Sequence, residues 1–318
     1  MTAKYLVLKY YEYVPVKDPK AFQEAQKACC VANKLMGRIK IADEGISGTI
    51  SGSVAGCGRY MATLRKYPGL EAIQFNISEA DAHPHERLQV LLKKEIVNSG
   101  LPKDIMPSQH RAERNYIDAA TFQKMRNQED VVILDVRSTY EHLIGKFENA
   151  ITFDIPAFRY FFKKALDYPF DKSKKYIVYC TRGIKSEKAR DFLKKRIGLP
   201  YVFTLEGGVL DYAHHTNGEG YVGDGCYVFD RRRKVEVNKV NPITISHCHH
   251  CKMPSSNIVN CANAACHVHV PICGPCLCQY EGACSLACQA HPQKRAYNSE
   301  GYYVRKRVGY QPWRIQKP

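Results

Sequence analysis

Three short apolar runs, residues 131–134, 176–179 and 201–204, constrain this chain more than any other feature of it. Each is too short for a helix, and none alternates polar with apolar as a strand with one wet face does. Such runs suit strands covered on both sides. Helical stretches at 156–166 and 186–196 fall between them. Strands and helices in alternation imply a mainly parallel α/β sheet. Loops at the carboxyl ends of such strands carry the chemistry. Cys180 stands at one of those ends, directly after Tyr179. Upstream, Asp118 is placed to cap a helix running to Met125.

The amino-terminal part has a different order. Residues 5–13 read as a strand. Asp18-Pro19 supplies an N-cap and a first-turn proline for a helix over 21–36. Strands at 38–42 and 46–50 flank the turn signal Asp43-Glu44-Gly45. A helix over 55–67, closed by Pro68-Gly69, and a strand over 71–77 complete a βαββαβ series. That is the ferredoxin-like pattern, which fixes no activity. The chain has 318 residues, 45% of them hydrophobic, enough for several cores. The expected plan is an α/β multidomain protein. It has a ferredoxin-like domain over 1–99, a linker over 100–117, a parallel-sheet domain over 118–222 and a Cys-rich, basic region over 223–318. No apolar run approaches the ~20 residues needed to cross a bilayer. The amino terminus lacks the ordered regions of a signal peptide. A cytoplasmic protein with no membrane partner is expected. No Gly-x-Gly-x-x-Gly follows a strand, so no nucleotide cofactor is expected.

The loop after the second apolar run reads Cys180-Thr181-Arg182-Gly183-Ile184-Lys185. Successive amides in a tight loop that opens a helix form an anion-binding nest, and the helix dipole adds positive potential. Gly183 allows a turn that other residues resist, while Arg182 and Lys185 add charge. A thiol held there is expected to be accessible, depressed in pKa and partly thiolate, and a persulfide would be stabilised by the same donors. The plain alternative is a buried structural cysteine; the glycine and the two cations weigh against it. Cysteine phosphatases place an arginine six positions after the nucleophile. That position is Ser186 here, which disfavours phosphatase chemistry. Asp135 and Arg137, at a strand end, are expected to brace the sheet and the neighbouring loop.

Four spaced motifs together resemble a rhodanese domain over about 118–222. They are the Cys180 loop, Asp135-Val136-Arg137, the stretch from Tyr140-Glu141 to Gly145-Lys146-Phe147-Glu148-Asn149-Ala150, and Leu205-Glu206-Gly207-Gly208. With Ala42-Asp43-Glu44-Gly45-Ile46-Ser47 and the late cysteines, the whole chain resembles the TrhO-type tRNA uridine(34) hydroxylases. That resemblance implies oxygen-dependent conversion of the wobble uridine of tRNA to 5-hydroxyuridine. It makes Cys180 the catalytic residue and molecular oxygen the co-substrate. Relatives often carry a second loop cysteine where this chain has Ser186, and a glycine where it has Arg182. The alternatives are a sulfurtransferase carrying a persulfide on Cys180 and a non-catalytic RNA-binding module.

The fourteen cysteines are unevenly spread, nine of them between Cys248 and Cys288. The pairs Cys248/Cys251, Cys261/Cys266, Cys273/Cys276 and Cys284/Cys288 suit one or two structural zinc ions, with Cys278 left over. His247, His249, His250, His267 and His269 lie among them, as neighbours before ligands. Charge points to the partner. Residues 223–318 hold 13 basic against 5 acidic side chains, half of the +16 excess. Arg231-Arg232-Arg233-Lys234 follows an aromatic run. In the last stretch, Tyr297, Tyr302, Tyr303, Tyr310 and Trp313 are interleaved with basic residues. Cations on phosphates and rings on unpaired bases suit an anticodon loop. The ferredoxin-like sheet face or the Asp43-Glu44-Gly45 turn is a second candidate RNA surface.

Overall fold

The computed structural model describes residues 5–107, 114–230 and 232–297. Most of the basic, aromatic tail lies outside them, as does Arg231. The chain divides into two compact units, 1–243 and 244–318.

The first unit opens with β1 (Tyr5–Tyr13), α1 (Pro19–Ala32), β2 (Met36–Ala42), β3 (Gly45–Gly52), α2 (Val54–Leu64), β4 (Phe75–Ala80) and β5 (Leu88–Leu92). Asp18 caps α1 as expected, its carboxylate accepting from the Lys20 and Ala21 amides at 3.1 and 2.9 Å. The strands pair in the order β4-β1-β3-β2-β5. The first four make the antiparallel ferredoxin-like sheet, and β5 adds a parallel edge beside β2. Alternate residues of β1 and the inner faces of α1 and α2 enclose Leu8, Phe22, Ile39, Ile50 and Tyr60. Helix α1 stops four residues short of the expected Met36, because Met36 already pairs with Ser51 in the sheet. Residues 71–74 are not strand; β4 begins at Phe75.

The parallel-sheet part of the same unit begins with β6 (Tyr116–Ile117), α3 (Ala119–Met125), β7 (Val131–Asp135), α4 (Thr139–His142), β8 (Gly145–Phe147), β9 (Ile151–Thr152) and α5 (Phe161–Leu166). It continues with β10 (Lys175–Tyr179), α6 (Ile184–Phe192), β11 (Val202–Leu205), α7 (Gly208–Thr216), β12 (Tyr221–Gly223), β13 (Cys226–Tyr227) and β14 (Lys234–Val235). The sheet order is β6-β11-β10-β7-β9, all parallel. The three apolar runs are its central strands. One face packs on Leu134, Val178, Phe161 and Phe192, the other on Ile133, Phe147, Ile177 and Tyr212. Central β10 therefore delivers Cys180 from the middle of the sheet. Cys226 and Val237 belong to this second core, so the chain from 223 to 243 packs with the parallel sheet. No helix among the described residues is long and apolar enough to cross a membrane.

The second unit holds β15 (Ile258–Asn260), β16 (His269–Pro271), α8 (Gly274–Gln279) and α9 (Leu286–Gln289). Its buried cluster is small: Cys248, Val259, Ile272 and Cys276.

Candidate active-site loop and metal centres

The backbone after β10 turns sharply. Gly183, at φ 100°, caps α6, and its amide donates to the Cys180 Sγ at 3.1 Å. The floor of the loop is α7. The Val209 and Leu210 amides donate to the Cys180 and Thr181 carbonyls at 3.0 and 3.2 Å. Gly208 makes this approach possible. It sits at φ +64°, and a Cβ there would meet the Cys180 carbonyl oxygen and the Arg182 amide. The Leu205-Glu206-Gly207-Gly208 motif thus has a physical job: it lets a helix start directly beneath the thiol.

The loop side chains divide. Lys185 is paired with Glu141 at 2.6 Å, and the buried Thr181 hydroxyl also faces that carboxylate at 3.4 Å. Ile184 presents its carbonyl to the Tyr13 hydroxyl at 2.8 Å. Arg182 makes no hydrogen bond or ion pair among the described residues, and Asp230 acts on it only at longer range. Burial and the neighbouring Arg232 bring its pKa down to about 10. Ser186 is fully buried, and its hydroxyl has no partner among the described residues.

Asp135 and Arg137 form a fully buried pair beside the loop. The guanidinium binds both carboxylate oxygens and reaches the Gly145 carbonyl at 2.7 Å; the Tyr179 hydroxyl donates to Asp135 at 2.6 Å. Burial pushes the Asp135 carboxyl up, but Arg137 outweighs it and holds the pKa below the usual value. These contacts are those of a brace. They also locate a thiol that the sequence reading left unassigned. Cys226 Sγ lies 3.5 Å from Arg137 Nη1 and 3.8 Å from Thr181 Oγ1, and burial pushes its pKa up.

Cys180 is only 1% exposed, which differs from the accessible sulfur that the loop sequence suggests. The thiol is part of the apolar core of the parallel-sheet part, with Leu134, Val178 and Ala189, and the ferredoxin-like domain closes over the loop. A Cβ on Gly183 would stand 2.5 Å from the Tyr11 hydroxyl. Tyr11 donates to the buried Glu187 at 2.7 Å, which also accepts from Tyr116 at 2.6 Å and faces Arg114 at 3.4 Å. The next residue, Lys188, is fully buried between Glu44 and Glu95, at 2.9 and 2.7 Å. The Asp43-Glu44-Gly45 turn, expected as a candidate RNA surface, therefore spends Glu44 on α6.

The second unit brings eight of its cysteines into two groups of four. Cys248, Cys251, Cys273 and Cys276 form one, and Cys261, Cys266, Cys284 and Cys288 the other, all sulfurs of a group lying within 4.8 Å of one another. The pairs alternate along the chain, so each group joins two segments that the other group interrupts. Backbone amides point at the sulfurs in a matching way: Cys273 N–H at Cys248 Sγ, 3.3 Å, and Cys284 N–H at Cys261 Sγ, 3.4 Å. Cys278 lies outside both groups and is exposed. Four thiols in a tight cluster fit a tetrahedral thiophilic ion such as zinc. No histidine belongs to either group.

Family models match almost the whole described chain. A UPF0176 acylphosphatase like domain covers residues 5–96, a rhodanese-like domain 118–215 and a rhodanase C-terminal model 223–289. The chain is similar to a tRNA uridine(34) hydroxylase of Cytophaga hutchinsonii, with 42% identity over 97% of each chain. It also resembles proteins of that name from onion yellows phytoplasma, at 34% over 92% of this chain and 95% of that one, and from Bacillus licheniformis, at 34% over 95% and 93%. At that identity over nearly the whole of each sequence, the chain belongs to the tRNA uridine(34) hydroxylase family.

Proposed function

We propose that this protein hydroxylates uridine 34 of tRNA to 5-hydroxyuridine, with molecular oxygen as co-substrate and Cys180 as the essential residue. The observation that carries the reading is the Cys180 sulfur held by the Gly183 amide at the head of α6, in a chain that aligns end to end with relatives of that name. The parts are assigned as follows. The parallel-sheet domain over 118–222 positions the thiol. The ferredoxin-like domain over 1–99, joined through 100–117, covers it. Of the region over 223–318, residues 223–243 complete the parallel-sheet core, and the rest supplies metal-stabilised structure and, through its basic tail, contacts to the anticodon loop. Thr181, Gly183, Ile184 and Lys185 shape the loop, and Arg182 is its anion contact. The eight grouped cysteines would hold two structural zinc ions, fixing the fold of the second unit. The setting is cytoplasmic, where tRNA is modified.

The test is mass spectrometry of tRNA nucleosides from a strain lacking this chain, with and without rescue. Wild type restores 5-hydroxyuridine and Cys180→Ala does not. Rescue by Cys180→Ala would refute the catalytic assignment. Efficient thiosulfate:cyanide sulfur transfer with unchanged tRNA would refute the reaction.

A further inference from the structure

A cavity of roughly 370 Å³ opens between the ferredoxin-like sheet and the loop that carries Cys180. That is within the range of about 300–1,000 Å³ usual for small-ligand sites. Strands β1 and β4 form one wall. Arg182, α7 and the segment around Arg232 form the other. The charges around it do not balance locally. Arg232 binds the buried Asp230 through Nε at 2.9 Å and Nη2 at 2.5 Å. Lys9 is 5% exposed and lies 3.7 Å from the same carboxylate, too far for a strong hydrogen bond. Arg182 makes no direct ion pair among the described residues, and the same Asp230 acts on it at longer range. The remaining carboxylate on the wall, Asp211, faces His215 at 3.7 Å. Burial, then Arg182 and Arg232, bring the Lys9 pKa down to about 7. Three held cations, Lys9, Arg182 and Arg232, thus face two carboxylates, Asp230 and Asp211, and such an excess of positive charge is the ordinary sign of an anion site. Phe75, Ile77 and Leu210 add an apolar wall beside them.

We propose that this cavity holds one nucleotide of the substrate RNA, its phosphate against Lys9, Arg182 and Arg232 and its base or sugar against the apolar wall. The assignment rests on the tRNA reading above. It goes further by naming the place where the RNA backbone meets the catalytic loop, since Arg182 is two residues from Cys180.

The experiment uses the full chain and a fluorescently labelled anticodon stem–loop with uridine at position 34, titrated at several salt concentrations. Lys9→Met and Arg182→Met each weaken binding about tenfold or more and each lower the slope of log affinity against log salt by about one. Lys9→Arg restores both. Lys27→Met, removing an exposed lysine of α1, changes neither, and melting temperatures show that the variants are folded. Uridine 5′-monophosphate displaces the hairpin at lower concentration than inorganic phosphate does. Unchanged affinity and slope in both pocket variants overturn the proposal, as does an equal loss in Lys27→Met. Equal displacement by phosphate overturns the nucleotide assignment. The two readings fail separately. A wild-type protein that makes no 5-hydroxyuridine while the pocket variants lose RNA binding refutes the reaction and leaves the cavity standing. An active wild type with variants that bind normally refutes the cavity alone.

Discussion

Removing one cysteine at a time should separate ligands from bystanders in the second unit. Tetrahedral zinc with bonds of ~2.3 Å puts neighbouring sulfurs about 3.8 Å apart. The observed separations are 3.5 Å for Cys251 and Cys273, 3.8 Å for Cys266 and Cys284, and 3.7 Å for Cys284 and Cys288. A disulfide needs about 2.05 Å, so the geometry suits ligands around an ion better than cystines. The energetics agree. Val259 and Ile272 are the buried aliphatic residues of the small core, and their burial contributes roughly 3–6 kcal/mol together. A structural zinc site contributes about 10–16 kcal/mol at neutral pH. A metal ion in each group would therefore dominate the stability of this unit. Elemental analysis should find two zinc ions per wild-type chain and two in Cys278→Ser. Cys276→Ser should hold at most one, with residues 244–297 becoming sensitive to limited proteolysis. A chelator should reproduce that sensitivity in wild type while β10 and its neighbours stay protected. A metal-free wild type resistant to proteolysis, or loss of metal from Cys278→Ser equal to that from Cys276→Ser, would refute the reasoning.

Three other predictions concern the loop and its supports. Gly208→Ala should cost about 1–2 kcal/mol from the left-handed backbone alone and push the Cys180 loop off α7. 5-Hydroxyuridine should then fall much further than thermal stability does, and a fully active variant would sink the idea. Lys188→Met leaves Glu44 and Glu95 facing each other without their shared cation, so urea unfolding should show a loss of about 3–5 kcal/mol; a change within error would contradict the clasp. Asp135→Asn should cost a similar amount at pH 7. Because the folded-state pKa of Asp135 is depressed, its contribution is complete above the unfolded value of about 3.9. It is lost as pH falls through the lower folded value, so the gap between wild type and variant should close below about pH 4. A gap that stays constant with pH would refute the pairing.

Much of the architecture was legible because periodicity and capping are local. Residues 5–13 fold as the strand that their pattern predicts, Asp18 and Asp118 cap the helices that follow them, and the three apolar runs are the central strands of the parallel sheet. Cys180 was legible for the same reason, since a strand, a glycine and a helix define its loop. What was hidden depends on distant partners. The short strands β8 and β12 pair only through tertiary contact, and neither has a pattern of its own. Helix α6 is rich in charge, yet Lys185, Glu187, Lys188, Arg190 and Asp191 are all buried; the first three find counter-charges elsewhere in the fold, while Arg190 and Asp191 pair with each other. The grouping of the cysteines was equally hidden, for spacing supplies pairs and only the fold decides which pairs meet. The Lys9 and Arg232 cavity draws its walls from residues more than two hundred positions apart.

The alternation of cysteine pairs in the second unit also bears on how that unit assembles. Neither half of the segment contains a complete ligand set, so a nascent chain cannot finish one centre until Cys276 has emerged, or the other until Cys288 has. An ion in each group would lock overlapping loops, and the region should gain or lose its order in a single step rather than one knuckle at a time.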